Sequence, residues 1–331
     1  MTTITLCMIT KNEENYLEEC LNSVNKIIDE IIIVDTGSTD KTKDIAKKFK
    51  AKIYDFKWND SFSNARNESL KHATKEWILV LDADEILETR DLEKIKELIK
   101  DNKKCGFSLL QKSYIKDFFP GAEKNKSPSD KTKDYPFFVG RSLVRLFKNN
   151  IGIKFTHRIH ELVEDFMRNN QIEIISSGIS IDHFGSLKDT DFMEEKAKQY
   201  TELIYLQLQD DSQSPRYHYQ AARMYQGQNN LTSALRYYEK TAELDPNYKL
   251  VYSDIAKIHL QLKDLPNAIK FFKKSIEQKP EDLSAPNNLA VAYMMNQEFK
   301  KAKELLEKYL KKYPDNHALK FNLQKSIENL N

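Results

Sequence analysis

Residues 77–85 read Trp77-Ile78-Leu79-Val80-Leu81-Asp82-Ala83-Asp84-Glu85, five apolar side chains running straight into a group of carboxylates. A continuous apolar run of strand length belongs to a strand buried on both faces of a parallel sheet. Carboxylates crowded at the end of such a strand repel one another unless a cation or a partner compensates them. In parallel α/β sheets, ligands bind in the crevice outside the carboxyl ends of the strands. Hard divalent ions there use one or two carboxylates plus substrate phosphates. The stretch therefore predicts a buried strand that delivers Asp82 and Asp84 to a seat for a metal–diphosphate.

The preceding residues repeat the strand–helix alternation. Ile4–Ile9 reads as a strand, Asn12–Val24 as a helix with Tyr16, Leu17, Cys20, Leu21 and Val24 at helical spacing, and Ile31–Val34 as a second buried strand. Thr39–Phe49 (helix), Lys52–Phe56 (strand) and Ser61–His72 (helix) follow. Apolar strands separated by helices imply an α/β sandwich with a parallel sheet covered on both faces. Asp35 ends the second buried strand and leads into Thr36-Gly37-Ser38-Thr39-Asp40. A carboxylate there can accept hydrogen bonds from a base or sugar edge, or, with Ser38, cap the next helix.

Composition removes several classes of function. The 331 residues carry 52 Lys+Arg against 50 Asp+Glu, a net charge of +2, which argues against a dedicated nucleic-acid binder. No apolar run reaches membrane-spanning length, and the N-terminal residues do not read as a signal peptide. Cys7, Cys20 and Cys105 are too few and too scattered for a disulfide framework or a zinc site, so the reduced cytoplasm is the expected location. With only 8 glycines, the chain has neither G-x-G-x-x-G nor a P-loop, so something other than a glycine-rich loop would hold a nucleotide.

Beyond about residue 215 the pattern becomes all-helical and periodic. Pro246, Pro280 and Pro314 are spaced by 34 residues, as are Ala234, Ala268 and Ala302, and Tyr238, Phe272 and Leu306. Ala222, Ala256 and Ala290 keep the same step, as do Tyr225, His259 and Tyr293. These columns resemble tetratricopeptide repeats, helix–turn–helix units of that length. The reading gives an α/β domain over residues 1–188, a linking helix within 189–214, and three repeats plus a capping helix over 215–331. Lys112–Asp134, rich in lysine with Pro120, Gly121 and Pro128, reads as a long loop, either a solvated insertion or a cover for the site.

Taken together, Ile4-Thr5-Leu6-Cys7-Met8-Ile9-Thr10-Lys11-Asn12-Glu13-Glu14, Val34-Asp35-Thr36-Gly37-Ser38-Thr39-Asp40, Ala65-Arg66-Asn67 and Leu81-Asp82-Ala83-Asp84-Glu85 resemble a family 2 glycosyltransferase of the GT-A fold, over about residues 1–185. The resemblance implies inverting transfer from a nucleotide-diphospho-sugar, usually a UDP-sugar, with Mn²⁺ or Mg²⁺. It implies that Thr10, Asn12 and Glu13 line the nucleotide, that Asp35 contacts the uracil, and that Arg66 lies near the base or diphosphate. Asp82 would touch the ribose or a metal-bound water, and Asp84 would coordinate the metal. His183 would complete the metal shell, since imidazole also accepts Mn²⁺.

Inverting transfer needs a base on the acceptor side. The Glu-Asp pair common in the family is absent from the stretch between Arg141 and Glu161. Relatives fused to tetratricopeptide repeats are similar at Phe155-Thr156-His157-Arg158-Ile159-His160-Glu161, which makes Glu161 the expected base and His160 the runner-up. Arg141 or Arg145 would neutralise the diphosphate, or lie on a basic surface strand. Repeat arrays present concave surfaces suited to extended peptides, with Arg216, Tyr219, Arg223, Lys257 and Asn287 the residues to inspect. The fusion is similar to that of bacterial glycosyltransferases that modify bacteriocin peptides on Cys or Ser, which implies a peptide or protein acceptor. A single-addition enzyme for a cell-surface or lipid-linked glycan and a catalytically degenerate scaffold are the alternatives, and homodimerisation stays open. The lack of Gln-x-x-Arg-Trp and of membrane helices argues against a processive polymer synthase.

Overall fold

The computed structural model describes residues 2–100, 104–118, 121–185 and 190–330. The chain divides into two compact units, Met1–Leu203 and Ile204–Asn331. The expected boundary at 188/189, and Pro120 of the long loop, lie outside the described residues.

The first unit is a mixed sheet flanked by helices. In chain order it contains β1 (Ile4–Thr10), α1 (Leu17–Val24), β2 (Glu30–Asp35), α2 (Thr42–Lys48), β3 (Lys52–Asp55), α3 (Phe62–His72) and β4 (Trp77–Val80). These are followed by β5 (Glu85–Leu87), α4 (Thr89–Leu98), β6 (Cys105–Ile115), β7 (Glu123–Lys124), β8 (Phe137–Lys148), α5 (Glu164–Asn169) and β9 (Glu173–His183). The strand order is β3-β2-β1-β4-β8-β6-β9-β5, with β7 attached to β8. β1 to β4 are mutually parallel, as the apolar runs predict. Beyond them β8 is antiparallel to both β4 and β6, and β5 is antiparallel to β9.

Alternation along the central strands divides the core. Leu6, Met8, Ile31, Ile33, Trp77 and Leu79 pack one face, while Cys7, Ile32, Ile78 and Val80 pack the other with Val144, Phe147 and Met167. Successive side chains of a strand point to opposite faces, so an unbroken apolar run feeds two cores at once. The helix expected to start at Asn12 begins five residues later, at Leu17. Asn12 itself is left-handed at φ 56°, and its side chain is committed to a neighbouring loop, so residues 12–16 curl into a turn instead.

Helix α6 (Thr190–Asp210) contains the point at which the two units divide. The second unit then stacks α7 (Pro215–Gly227), α8 (Leu231–Leu244), α9 (Val251–Gln261), α10 (Leu265–Gln278), α11 (Ser284–Met295), α12 (Phe299–Lys312) and α13 (His317–Glu328), each packed against the next. Ala222, Ala234, Ala256, Ala268, Ala290 and Ala302 are fully buried, as are Tyr238, Phe272 and Leu306. The 34-residue period also governs the turns. Asn229, Lys263 and Gln297 each adopt a left-handed conformation just before α8, α10 and α12. The next residue caps two of these helices: Asn230 accepts from Ser233 N at 3.1 Å and Asp264 from Asn267 N at 3.3 Å.

Candidate active site

The loops after β1 and β2 are stitched into one rim. Asn12 N donates to Ser38 Oγ at 3.0 Å, and Asn12 Oδ1 accepts from Thr39 N at 2.8 Å. Glu13 N donates to Thr42 Oγ1 at 2.7 Å. Thr10, buried at the end of β1, receives Thr36 N on its carbonyl at 2.9 Å. Asp35 organises the turn it begins: its Oδ1 accepts from Gly37 N at 3.1 Å and Ser38 N at 2.9 Å, and Lys43 Nζ lies 3.4 Å away. Gly37, at φ 112°, supplies the backbone conformation that lets both amides face one oxygen. Burial works to raise the Asp35 carboxyl, but Ser38, Gly37 and Lys43 together hold it below the usual range. Asp35 thus caps its own turn; helix α2 begins only at Thr42.

The end of β4 is the electrostatic centre of the unit. Arg66 projects from α3, where Nε donates to Glu161 Oε1 at 2.6 Å and Nη2 donates to Asp82 Oδ1 at 2.6 Å. Arg145, on β8, gives Nη2 to Asp82 Oδ2 at 3.2 Å and to Glu85 Oε1 at 2.7 Å. Both arginines are buried, and Arg66 Nη1 and Arg145 Nε have no hydrogen-bond partner among the described residues. Glu85 is fully buried, accepts from Asp82 N at 2.8 Å and Gln111 Nε2 at 2.5 Å, and so locks the Asp82–Glu85 turn. Burial works against ionisation of Asp82, yet Arg66 and Arg145 hold its carboxyl far below the usual range. Burial, reinforced by the charge of Asp82, has the upper hand at Glu85 and raises its carboxyl despite Arg145.

Asp84 and His183 form a separate pair. His183, at the end of β9, places Nε2 3.6 Å from Asp84 Oδ1, and Phe184 N donates to the Asp84 carbonyl at 2.9 Å. A pocket of about 220 Å³ opens beside them, lined by Tyr16, Glu19, Ala83, Asp84, Ile86, Lys131 and Phe184. Lys131 comes from the long loop, pairs with Glu19 and lies 5.2 Å from the Phe184 ring centroid. The loop is internally tied: Asn125 N donates to Pro136 O at 2.8 Å, and Thr132 Oγ1 accepts from Ser129 N at 2.8 Å.

The donor set fits a divalent ion at Asp84 and His183. One carboxylate oxygen and one imidazole nitrogen, each roughly 2.1 Å from a shared ion, stand about 3–4 Å apart, as these atoms do. Asp82 is engaged differently, with each oxygen accepting from an arginine. Among the described residues no three His, Cys, Asp or Glu side chains converge, so phosphates and water would supply the other ligands.

Glu161 lies in the turn after β8, 12% exposed at its side chain and bound to Arg66. His160, left-handed at φ 53°, sets its ring edge-on to Tyr200 at 5.9 Å. Tyr200 of α6 also meets Phe62 at 6.0 Å. Burial and the negative charges of Glu161, Asp82 and Asp84 push its phenol up, so Tyr200 stays protonated near the same cluster. Nothing in the sequence marks Gln111, Ser113 or Tyr200 as site residues, since the strand contacts of the first two and the ring contacts of the third carry no local signature.

The stitched rim after β1 and β2, the two buried arginines around Asp82 and the Asp84–His183 pair all stand at strand ends of the one sheet. The model of glycosyl transferase family 2 matches residues 5–170, and tetratricopeptide-repeat models match residues 219–283 and 259–326. The chain belongs to glycosyl transferase family 2 and carries tetratricopeptide repeats after that domain. It is 35% identical over 165 residues to a TPR repeat-containing protein of Synechococcus elongatus, covering 50% of this chain and 36% of that one. It is 32% identical over 161 residues to the SPbeta prophage-derived glycosyltransferase SunS of Bacillus subtilis, covering 48% of this chain and 34% of that one. An uncharacterized glycosyltransferase of Rickettsia typhi is 39% identical over 87 residues, 26% of this chain and 30% of that one. The aligned stretch spans about a third of each relative's length. Among the described residues no helix is long and apolar enough to cross a membrane.

Proposed function

We propose that the first unit transfers a sugar, with inversion, from a UDP-sugar to a peptide or protein side chain recruited by the repeats. The observation that carries this reading is the Arg66–Asp82–Arg145 cluster with Glu161 on one side and the Asp84–His183 pair nearby. Asp84 and His183 would hold Mn²⁺ or Mg²⁺, which when bound neutralises charge on the leaving diphosphate. Arg66 and Arg145 have buried N–H groups to spare and add fixed positive charge where that phosphate departs. Thr10, Asn12 and Glu13 line the nucleoside side of the rim, with Asp35 fixing its shape and facing the uracil.

The Glu161 carboxylate would take the proton from the acceptor hydroxyl or thiol as that atom attacks the anomeric carbon. The bond from that carbon to the diphosphate oxygen breaks, and its electron pair leaves with UDP. Arg66 fixes Glu161 through its Nε and Asp82 through its Nη2, so base and donor are positioned by one guanidinium.

Calorimetric titration of the full chain with UDP, with and without Mn²⁺, tests the donor half. Saturable UDP binding that tightens with Mn²⁺ is expected, with ADP binding more weakly. No saturable UDP binding under either condition would overturn the donor assignment.

A further inference from the structure

Ser113 and His183 face each other across the β6–β9 pairing, in register. Ser113 Oγ lies 2.9 Å from His183 Nδ1, while His183 Nε2 lies 3.6 Å from Asp84 Oδ1. On its other side His183 pairs with Glu85 of β5, so the imidazole sits on a strand held from both edges. Gly185 completes the arrangement. A Cβ at that position would stand 2.6 Å from His183 Nε2 and 2.7 Å from Asp84 Oδ2, closer than side-chain carbons approach such atoms.

We propose that Ser113 is a positioning residue that holds His183 with its Nε2 lone pair toward Asp84, and that Gly185 keeps open the space those two side chains share for a divalent cation. The chemistry follows from the two ring nitrogens of a neutral imidazole, of which one carries the proton and the other the lone pair. When Ser113 Oγ accepts the Nδ1–H, Nε2 becomes the ligand. Hydrogen bonds of this kind fix the tautomer and ring angle of metal-binding histidines, and their loss typically weakens metal binding by about 10- to 100-fold. Nothing in the local sequence pairs Ser113 with His183, 70 residues away; only the strand register brings them together. Gly185 needs no unusual backbone angle, so its lack of a side chain is explained by the space and not by the turn.

The inference rests on Asp84 and His183 as the metal donors, and the test separates the two claims. Mn²⁺ binding to the full chain is measured by electron paramagnetic resonance of the free ion, with no sugar donor, for wild type, Ser113→Ala, Ser113→Thr and Gly185→Ala. Wild type should bind one Mn²⁺ saturably. Ser113→Ala should weaken that binding by about 10- to 100-fold, Ser113→Thr should keep it within a fewfold, and Gly185→Ala should lose it. If Ser113→Ala does not fold by thermal melting, Ser113→Val against Ser113→Thr makes the same comparison at matched volume. Wild-type affinity in Ser113→Ala, or in Ser113→Val, overturns the role of Ser113 and leaves the metal donors standing. Wild-type affinity in Gly185→Ala overturns the space-keeping role. The absence of saturable Mn²⁺ binding in wild type overturns both the inference and the donor assignment beneath it.

Discussion

Arg66 Nε donates to Glu161 Oε1 at 2.6 Å, joining the middle of α3 to a turn 95 residues later. The same guanidinium holds Asp82 at 2.6 Å, so the proposed acceptor side and donor side share one rigid, permanently charged group. Its planar fork is what a lysine cannot reproduce.

Arg66→Lys should therefore keep the charge and lose the bridge. Donor turnover is expected to fall by about 10- to 100-fold, with kcat affected more than the donor KM, because misplacement by an ångström carries such a cost. Steady-state kinetics on wild type and Arg66→Lys decide it. Equal kcat in Arg66→Lys would mean that the charge alone matters.

Glu161→Gln should keep the shape of the turn, bind UDP normally, and lose about 100- to 10,000-fold in turnover, the usual worth of a general base. A thiol acceptor would show a loss that shrinks as pH rises toward about 8.5, where the thiolate forms unaided; a hydroxyl acceptor would show no such rescue. Turnover within a fewfold of wild type at neutral pH would move the role to His160.

Asp35→Ala removes the acceptor that collects Gly37 N, Ser38 N and Lys43. Its proposed partner in the complex is the uracil, and a lost hydrogen bond to a charged group is worth roughly 1.5–3 kcal/mol, so UDP affinity is expected to fall by about 10- to 100-fold with or without Mn²⁺. Titration calorimetry that finds unchanged UDP affinity would confine Asp35 to holding its turn.

Much of this site was legible in the sequence because it sits at strand ends, where one apolar run fixes both the strand and the place where its polar tail emerges. Asp82, Asp84 and Asp35 follow from that rule. The partnership of Asp82 with two arginines does not, since α3 reaches it by packing against β1 and β2, and β8 by lying beside β4 in the sheet. The later strands β6, β8 and β9 were equally hidden, as polar residues and glycine interrupt their apolar runs. In the second unit the period was explicit, because each alanine column is a helix contact repeated without change. The long loop left two readings open. Its Lys131 borders the pocket beside Asp84, which places the segment at the site's edge.

Acid should weaken the first unit through Glu30, at the start of β2. Its carboxylate accepts from Thr5 Oγ1 at 2.6 Å, Thr74 N at 2.7 Å and Lys52 Nζ at 2.7 Å. Burial opposes the charge, but Lys52, Thr5 and Thr74 outweigh it and lower the carboxyl to about 2. The folded pKa lies below the unfolded one, so the stabilisation is present above pH about 4.5 and is lost as pH falls toward 2. It amounts to on the order of 3 kcal/mol. Glu30→Gln should be less stable at neutral pH and show a flatter decline across that window in denaturant titrations. An identical decline in wild type and Glu30→Gln would assign the acid sensitivity elsewhere.

The most direct measurement is UDP release by the full chain from a panel of UDP-sugars, with Mn²⁺ or with chelator, for wild type and Asp84→Ala. Wild type should release UDP from at least one donor only when the metal is present, and Asp84→Ala should release little under any condition, because it lacks the carboxylate that faces His183. Full release by Asp84→Ala in chelator, or none by wild type from any donor, would contradict the assignment of this site to metal-assisted sugar transfer.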